Sequence, residues 1–184
     1  RPFSGAGAAA LGEGAGALLI EPGKGAWTGG APVMGYLRGW GRATALDESD
    51  GLKEAIGDSI GAALASAAIS PGDVDLVVVH GAGNLNEDAA EAAALLNIFS
   101  ARRPRALATK GAFGHLLGAS PMVDLLLALR ALDEGVVPPS PGVGDMARDA
   151  LEFSDVPVAA KMKTALVLSR GFEGNCAAFC ASAA

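Results

Sequence analysis

Two histidines and one lysine are the residues of this chain best suited to chemistry at a shared site. His80 follows the apolar run 77–79, and Lys110 and His115 lie five residues apart among small side chains. The 184-residue chain contains no other histidine. Two neutral imidazoles that donate N–H bonds to one oxygen form an oxyanion hole. A nearby lysine favours the neutral form of both rings, because it disfavours further positive charge.

The elements before these residues predict how they are brought together. The apolar runs 74–79 and 106–109 predict buried strands, which are followed by His80 and Lys110 respectively. In α/β sheets, sites lie beyond the carboxyl ends of the strands, and neighbouring strands are about 5 Å apart. We therefore expect His80, Lys110 and His115 to reach one pocket.

Hydrophobic periodicity and turn residues predict the remaining elements. The first two strands, at 17–21 and 33–43, are expected to pair as an antiparallel ribbon. The last two are expected to form a hairpin whose turn brings Phe172 over the pocket. The third helix is apolar nearly all round, which predicts a core helix whose start is at His115 or is marked by Pro121. Strands are expected at 17–21, 33–43, 164–169 and 176–182, with a brief pairing at 136–137, and helices at about 50–69, 86–100 and 115–134.

The first 16 residues are rich in Gly and Ala and are expected to form a loop. Gly12, Gly14 and Gly16 alternate, which permits a close approach of the backbone to its neighbours. Their spacing differs from the dinucleotide-binding fingerprint, and no predicted strand precedes them.

Lys110 needs a carboxylate partner if it is to be held as a buried cation. Asp88 and Glu91, on the first turns of the helix after His80, are the candidates. The alternative for each histidine is a hydrogen-bonded core residue without chemistry. A metal site is not expected from two histidines without a well-spaced third ligand. A serine hydrolase is not expected either, because no serine lies in a G-x-S-x-G elbow.

Composition favours a single domain over residues 1–184, in which 51% of the residues are hydrophobic and the net charge is −6. This charge does not favour nucleic-acid binding. Arg102, Arg103 and Arg105 form either a solvated loop or a docking point for an acidic partner. Cys176 and Cys180 are expected to be buried thiols, since on one strand they are too far apart for a relaxed disulfide.

The location expected from the sequence is the cytoplasm, with no membrane contact. We find no signal peptide, and the most apolar helix carries charged residues and is short for a membrane span. The chain begins at Arg1 rather than Met, so we expect it to be part of a longer protein.

Several motifs, in the same order and at similar separations, resemble a known family over essentially the whole chain. The chain carries RPF and GEGAGALLIE, HGAGNLNEDAAE, ATKGAFGHLLGA, VVPPS and LSRGFEGN. These resemble the RPFD…GEGAG…LE, HGTGT-x-x-x-D-x-x-E, STK…GHLLGA, VPPT and SFGFGGTN segments in the C-terminal half of β-ketoacyl synthases, of the thiolase-like superfamily. The resemblance implies an α/β, thiolase-like half-domain with a mixed five-stranded sheet and helices on both faces.

The resemblance also implies a decarboxylative Claisen condensation in fatty acid or polyketide biosynthesis. An acyl chain is held on a cysteine, and a malonyl group on the phosphopantetheine of an acyl carrier protein loses CO₂; no other cofactor is implied. By matching positions, His80 and His115 would bind the thioester oxygen. Lys110 would act through Glu91, and Asp88 would be a supporting residue. Phe172 would be the gate to the nucleophile.

Departures from the family leave two functions open. The nucleophilic cysteine belongs to the N-terminal half of the family, and Cys176 and Cys180 match no catalytic position. Ala82, Asn84 and Glu173 replace usual residues, and the SRG segment resembles chain-length-factor subunits of polyketide synthases. The chain is therefore either the C-terminal part of a ketosynthase or a non-catalytic partner of one. Its expected partners are the carrier protein and the N-terminal half or a ketosynthase subunit, in a homodimer or heterodimer.

Overall fold

A computed structural model of the chain describes residues 1–5, 10–23, 32–47 and 51–184. The described part contains one main sheet with helices on both faces and a separate two-stranded ribbon. The strands are β1 (Gly35–Thr44), β2 (Leu76–Val78), β3 (Arg105–Leu107), β4 (Val136–Val137), β5 (Val158–Ala159), β6 (Thr164–Arg170) and β7 (Asn175–Ala183), and the helices are α1 (Leu52–Ala67), α2 (Leu85–Ile98), α3 (Lys110–Phe113) and α4 (Ser120–Glu134).

The main sheet has five strands in the order β1-β7-β6-β2-β3. Strand β2 runs parallel to β3 and β6, whereas β7 is antiparallel to both β1 and β6. The sheet is therefore mixed, as predicted, and the final hairpin of β6 and β7 is confirmed. The brief pairing expected at 136–137 is also confirmed, because β4 pairs with β5.

Alternation along β2 separates two apolar cores. Val77 and Val79 pack with α1 and α2 on one face of the sheet. Leu76 and Val78 pack with α4 on the other. The central strand is thus buried on both sides, which explains its continuous apolar sequence. On β1, Gly41 lets α1 approach closely, because an added Cβ would lie 2.2 Å from the Ser59 carbonyl oxygen.

The predicted ribbon at the start of the chain is wrong. Residues 17–21 form no strand, and both Leu19 and Ile20 are exposed. Strand β1 instead pairs with β7, in a ladder that runs from Gly35–Ala183 to Thr44–Asn175. This ladder satisfies more backbone groups than a five-residue ribbon would. Residues 24–31 of the predicted connection lie outside the described residues.

The third predicted helix is divided in two. Helix α3 ends at Phe113; the next residue, Gly114, has a φ of 74°, and Leu117 has a φ of 53°. These left-handed conformations interrupt a right-handed helix. Pro121 lies in the first turn of α4, so its predicted role as the start of the long helix is confirmed. His115 therefore lies in the connection between α3 and α4. Within the described residues, no helix has the length and apolar character needed to cross a membrane.

Candidate active site

The carboxyl ends of β2 and β3 bring His80, Lys110 and His115 together. His80 follows β2 closely, and Lys110 opens α3 just after β3. The His80 and His115 ring centroids are 5.2 Å apart, with the rings inclined at 75°. The positive charge of Lys110 lowers the pKa of both histidines. The predicted convergence of the three residues is therefore found in the structure.

The His80 imidazole is held at Nδ1. This nitrogen accepts a hydrogen bond from the backbone N–H of Arg170 at 3.2 Å. In the neutral ring, an Nδ1 that accepts a hydrogen bond leaves the proton on Nε2. Burial lowers the pKa of His80 well below its usual value, and the charges of Lys110, His115 and Arg170 lower it further. His80 is therefore a neutral N–H donor.

The His115 imidazole is held in the same way. Its Nδ1 accepts from the backbone N–H of Leu117 at 3.0 Å and lies 3.2 Å from Ser120 Oγ. Burial, followed by the charge of Lys110, lowers its pKa. The effect of Lys110 is the one predicted from the sequence, and burial of the ring adds a larger one. Both rings thus carry the Nε2 proton available for an oxygen atom.

The N-terminal loop fixes the backbone of His115. The His115 N–H donates to the Ala10 carbonyl at 2.6 Å, and the Gly12 N–H donates to the His115 carbonyl at 3.1 Å. A Cβ on Gly12 would lie 2.0 Å from the Phe113 carbonyl oxygen. The close backbone approach predicted from the glycines is therefore confirmed at Gly12, where it places the loop against the site.

Lys110 pairs with Asp124 of α4. We had predicted Asp88 or Glu91 as its partner, and that prediction is wrong. Lys110 Nζ lies 3.3 Å from Asp124 Oδ2, and both side chains are buried. Thr109 Oγ1 donates to the other oxygen of Asp124 at 2.6 Å. Burial raises the pKa of Asp124, opposed by Lys110 and Thr109. The signal in the sequence is a carboxylate within the otherwise apolar first half of α4.

Asp88 and Glu91 bind backbone N–H groups instead. Glu91 accepts from the N–H of His80 at 2.7 Å and from the N–H of Gly81 at 2.8 Å. Asp88 accepts from the N–H of Phe3 at 2.5 Å and from Gly83 at 3.2 Å. These bonds anchor the turn after β2 to α2. The two carboxylates support the position of His80 rather than the charge of Lys110, although Lys110 still lowers the pKa of Glu91.

Glu91 is expected to make the stability of the protein fall with rising pH. Burial raises its pKa from 4.5 to about 7. Between these values the folded state keeps a proton that the unfolded state has released, so the free energy of unfolding decreases by about 3 kcal/mol across the window. Glu91→Gln, which does not titrate, should lack this decrease. Urea unfolding of both proteins from pH 4.5 to 8 measures the difference, and identical pH profiles would contradict it.

Phe172 lies in the turn between β6 and β7, near the site but not over it. Its side chain is 80% exposed, so it does not cover the imidazole rings in this conformation. Asn175 holds the turn by donating from its N–H and its side-chain amide to the Phe172 carbonyl. The predicted role of Phe172 as a gate stays a prediction.

Two of the three arginines at 102–105 pair with carboxylates. Arg102 pairs with Asp75 at 3.0 Å, and Arg105 pairs with Glu152 at 2.9 Å. Both arginines lie at the end of the sheet opposite His80, which favours a structural role over docking near the site. The two cysteines are buried free thiols, as predicted. In the described part of the chain, no three His, Cys, Asp or Glu side chains are grouped to hold a metal ion.

The sequence matches the model of one protein family. Residues 41–144 match the family described as beta-ketoacyl synthase, C-terminal domain, which is more than half of the 184 residues. The chain belongs to the β-ketoacyl synthase family. The matched span of this β-ketoacyl synthase domain contains His80, Lys110 and His115, whereas Phe172 lies beyond it.

The curated relatives include proteins named as polyketide β-ketoacyl synthases and proteins named as 3-oxoacyl-[acyl-carrier-protein] synthases. A putative polyketide β-ketoacyl synthase 2 of Streptomyces halstedii is 35% identical over 147 residues, which are 79% of this chain and 35% of the relative. A 3-oxoacyl-[acyl-carrier-protein] synthase 2 of Mycobacterium bovis is 35% identical over 138 residues, 71% of this chain and 32% of the relative. The chain spans about a third of the length of these two relatives.

Solved structures share the fold of this β-ketoacyl synthase domain. The ishigamide ketosynthase/chain length factor matches all of the chain with a TM-score of 0.89 and 25% identity, over 47% of its own length. A type II polyketide acyl-carrier protein–ketosynthase complex matches 84% of the chain with a TM-score of 0.71 and 23% identity, over 40% of its length. The predicted thiolase-like half-domain is confirmed.

Proposed function

We propose that the protein containing this chain is a β-ketoacyl-[acyl-carrier-protein] synthase, in which the chain supplies the oxyanion-binding half of the active centre. The observation that carries this proposal is the pair of imidazoles at 5.2 Å, each with Nδ1 bonded to a backbone N–H. Two fixed Nε2–H donors, one on the buried His80 and one on the partly buried His115, are suited to an oxygen that becomes negatively charged.

In the proposed reaction, the malonyl thioester loses CO₂ and the electrons of the broken C–C bond form an enolate. The enolate oxygen binds between the Nε2–H groups of His80 and His115. The enolate carbon then attacks the acyl thioester and expels the thiolate of the nucleophilic cysteine, which lies outside this chain. Lys110 contributes a fixed positive charge that favours the anion and keeps both imidazoles neutral. The acyl groups arrive on the phosphopantetheine of a carrier protein, and we place the reaction in the cytoplasm.

The second candidate is a non-catalytic chain-length-factor-like subunit that partners a ketosynthase. Its support is the similarity to the ishigamide ketosynthase/chain length factor and the departures in the motifs. Asn84 caps α2 by accepting from the N–H groups of Asn86 and Glu87, so this departure has a structural role. Glu173 occupies a left-handed position with a φ of 59°, which favours glycine.

An N-terminal half or a ketosynthase subunit is the partner that we propose for the face around α4. Trp40 and Leu37 on β1 are exposed. Val123 and Leu126 of α4 are only partly buried. Apolar surface of this kind marks an interaction site. The domain alone accounts for about a third of its curated relatives, so the rest of such a protein, in a homodimer or heterodimer, would cover this face.

A condensation assay distinguishes the two candidates. The complete protein is mixed with an acyl carrier and a malonyl carrier, and both products are followed by mass spectrometry. A ketosynthase should release CO₂ and 3-oxoacyl carrier in equal amounts. No product from the protein alone, with activity only when a separate ketosynthase is added, would favour the chain-length-factor candidate.

A further inference from the structure

Arg170 and Glu87 form an ion pair beside His80 that the proposed chemistry does not use. Arg170 ends β6 where the turn with Phe172 begins, and its guanidinium contacts the carboxylate of Glu87 in the first turn of α2. The two side chains are only 11% and 22% exposed. By contrast, Arg130 and Glu134 on α4 are 62% and 50% exposed. The shielded pair is therefore less screened by solvent than an ordinary surface pair.

The same arginine holds the His80 ring through its backbone. The Arg170 N–H is the donor to His80 Nδ1, at 3.2 Å. On the other side, Glu91 of α2 accepts from the His80 N–H. His80, Arg170, Glu87 and α2 thus form a closed ring of contacts. The cavity that His80, Glu87, Glu91 and Arg170 help to line has a volume of about 10 Å³, which leaves room for about one water molecule.

We propose that the Arg170–Glu87 pair is a positioning element that fixes the Nε2–H tautomer of His80. The pair ties the start of the β6–β7 turn to α2, which keeps the Arg170 N–H against Nδ1. Loosening it would remove the fixed donor from Nδ1, and the proton would then distribute between the two ring nitrogens. The catalytic consequence rests on the proposed function, whereas the effect on the tautomer does not.

The electrostatics of the pair agree with this role. The charge of Arg170 lowers the pKa of both His80 and His115, in the same direction as Lys110. Glu87 acts in the opposite direction on His115. At His115 the two charges of the pair therefore oppose each other, whereas at His80 the charge of Arg170 acts together with that of Lys110 to favour the neutral ring.

Nitrogen-15 NMR of labelled histidine in the complete protein tests the proposal at pH 7.5. The His80 signals are assigned with His80→Gln. The wild type should show one Nε2–H tautomer, whereas Arg170→Ala and the isosteric Glu87→Gln should both show the second tautomer. The reversed pair, Arg170→Glu with Glu87→Arg, should restore the single form, and Arg130→Ala is the matched control that should leave it unchanged.

A wild-type tautomer in both Arg170→Ala and Glu87→Gln would overturn the proposal, even if their melting temperatures fall. If Arg170→Ala does not fold, Glu87→Gln decides alone. For an active protein, we expect Glu87→Gln to lower kcat for decarboxylation about 10-fold with KM unchanged. The NMR result needs no turnover, so an inactive wild type would contradict the proposed function and leave the tautomer test intact.

Discussion

Replacing His115 with alanine is expected to lower the rate of malonyl decarboxylation by about 10²–10³-fold. The variant loses one of the two Nε2–H donors to the enolate oxygen, and the alanine side chain cannot donate a hydrogen bond in its place. His80→Ala should have an effect of similar size. The measurement is the rate of CO₂ release from a malonyl carrier by the complete protein, with the carrier at saturating concentration.

The control for His115→Ala is a variant that keeps the fold and the Nε2–H donors of both histidines. Arg130→Ala removes an exposed arginine of α4 that pairs with Glu134 at 2.7 Å, so its rate should equal the wild type. Circular dichroism should show the same helix content in all variants. Undiminished CO₂ release by a folded His115→Ala protein would rule out the role that we assign to this residue.

Breaking the buried pair of Lys110 and Asp124 is expected to destabilise the protein by about 3–5 kcal/mol. Lys110→Met leaves the Asp124 carboxylate buried and without its cation, although Thr109 still donates to it. The pKa of both histidines should also rise, because the charge of Lys110 lowers them in the wild type. Urea unfolding at pH 7.5 measures the loss of stability.

A double variant separates the charge from the packing. Lys110→Met with Asp124→Leu removes both charges and should recover most of the stability lost in Lys110→Met, because no uncompensated ion stays buried. Arg130→Ala breaks an exposed pair on the same helix and should cost no more than about 1 kcal/mol. A Lys110→Met cost as small as that of Arg130→Ala would contradict the account of Lys110 as a tightly held buried cation.

The convergence of His80, Lys110 and His115 could be predicted because it depends on short-range patterns. The run before His80 is fully buried in β2, and an apolar run of that length bounded by turn residues has few alternatives. Parallel strands then bring their carboxyl ends to one edge of the sheet. The residues after β2 and β3 are neighbours for that reason alone.

Partner choice could not be predicted, because it depends on contacts between distant segments. The sequence offered Asp88 and Glu91 as counterions for Lys110, but their oxygens are already bonded to backbone N–H groups of the turn after β2 and of Phe3. Asp124 reaches Lys110 from α4, which packs on the face of the sheet opposite to α2. The apolar neighbours of Asp124 in the sequence indicate that it is buried, but they do not identify the cation with which it pairs.

The prediction for the partner of β1 was wrong for a related reason. Residues 17–21 and 33–43 are neighbours in sequence, and their alternation suits a ribbon. Strand β7 and residues 17–21 are alternative partners for β1. The ladder with β7 is longer, but β7 is distant in sequence, so a local pattern does not reveal it. The position of His115 was misjudged by a backbone effect, since the left-handed Gly114 and Leu117 separate it from α4.

The most direct test of the account is CO₂ release from a malonyl carrier by the complete protein, compared with the His80→Ala, His115→Ala double variant. If this chain supplies the oxyanion donors, the wild type should release CO₂ steadily, and the folded double variant should fall to the rate of the carrier without enzyme. Equal release by the two proteins, above the rate of the carrier without enzyme, would contradict the account and show that decarboxylation occurs at a site outside this chain.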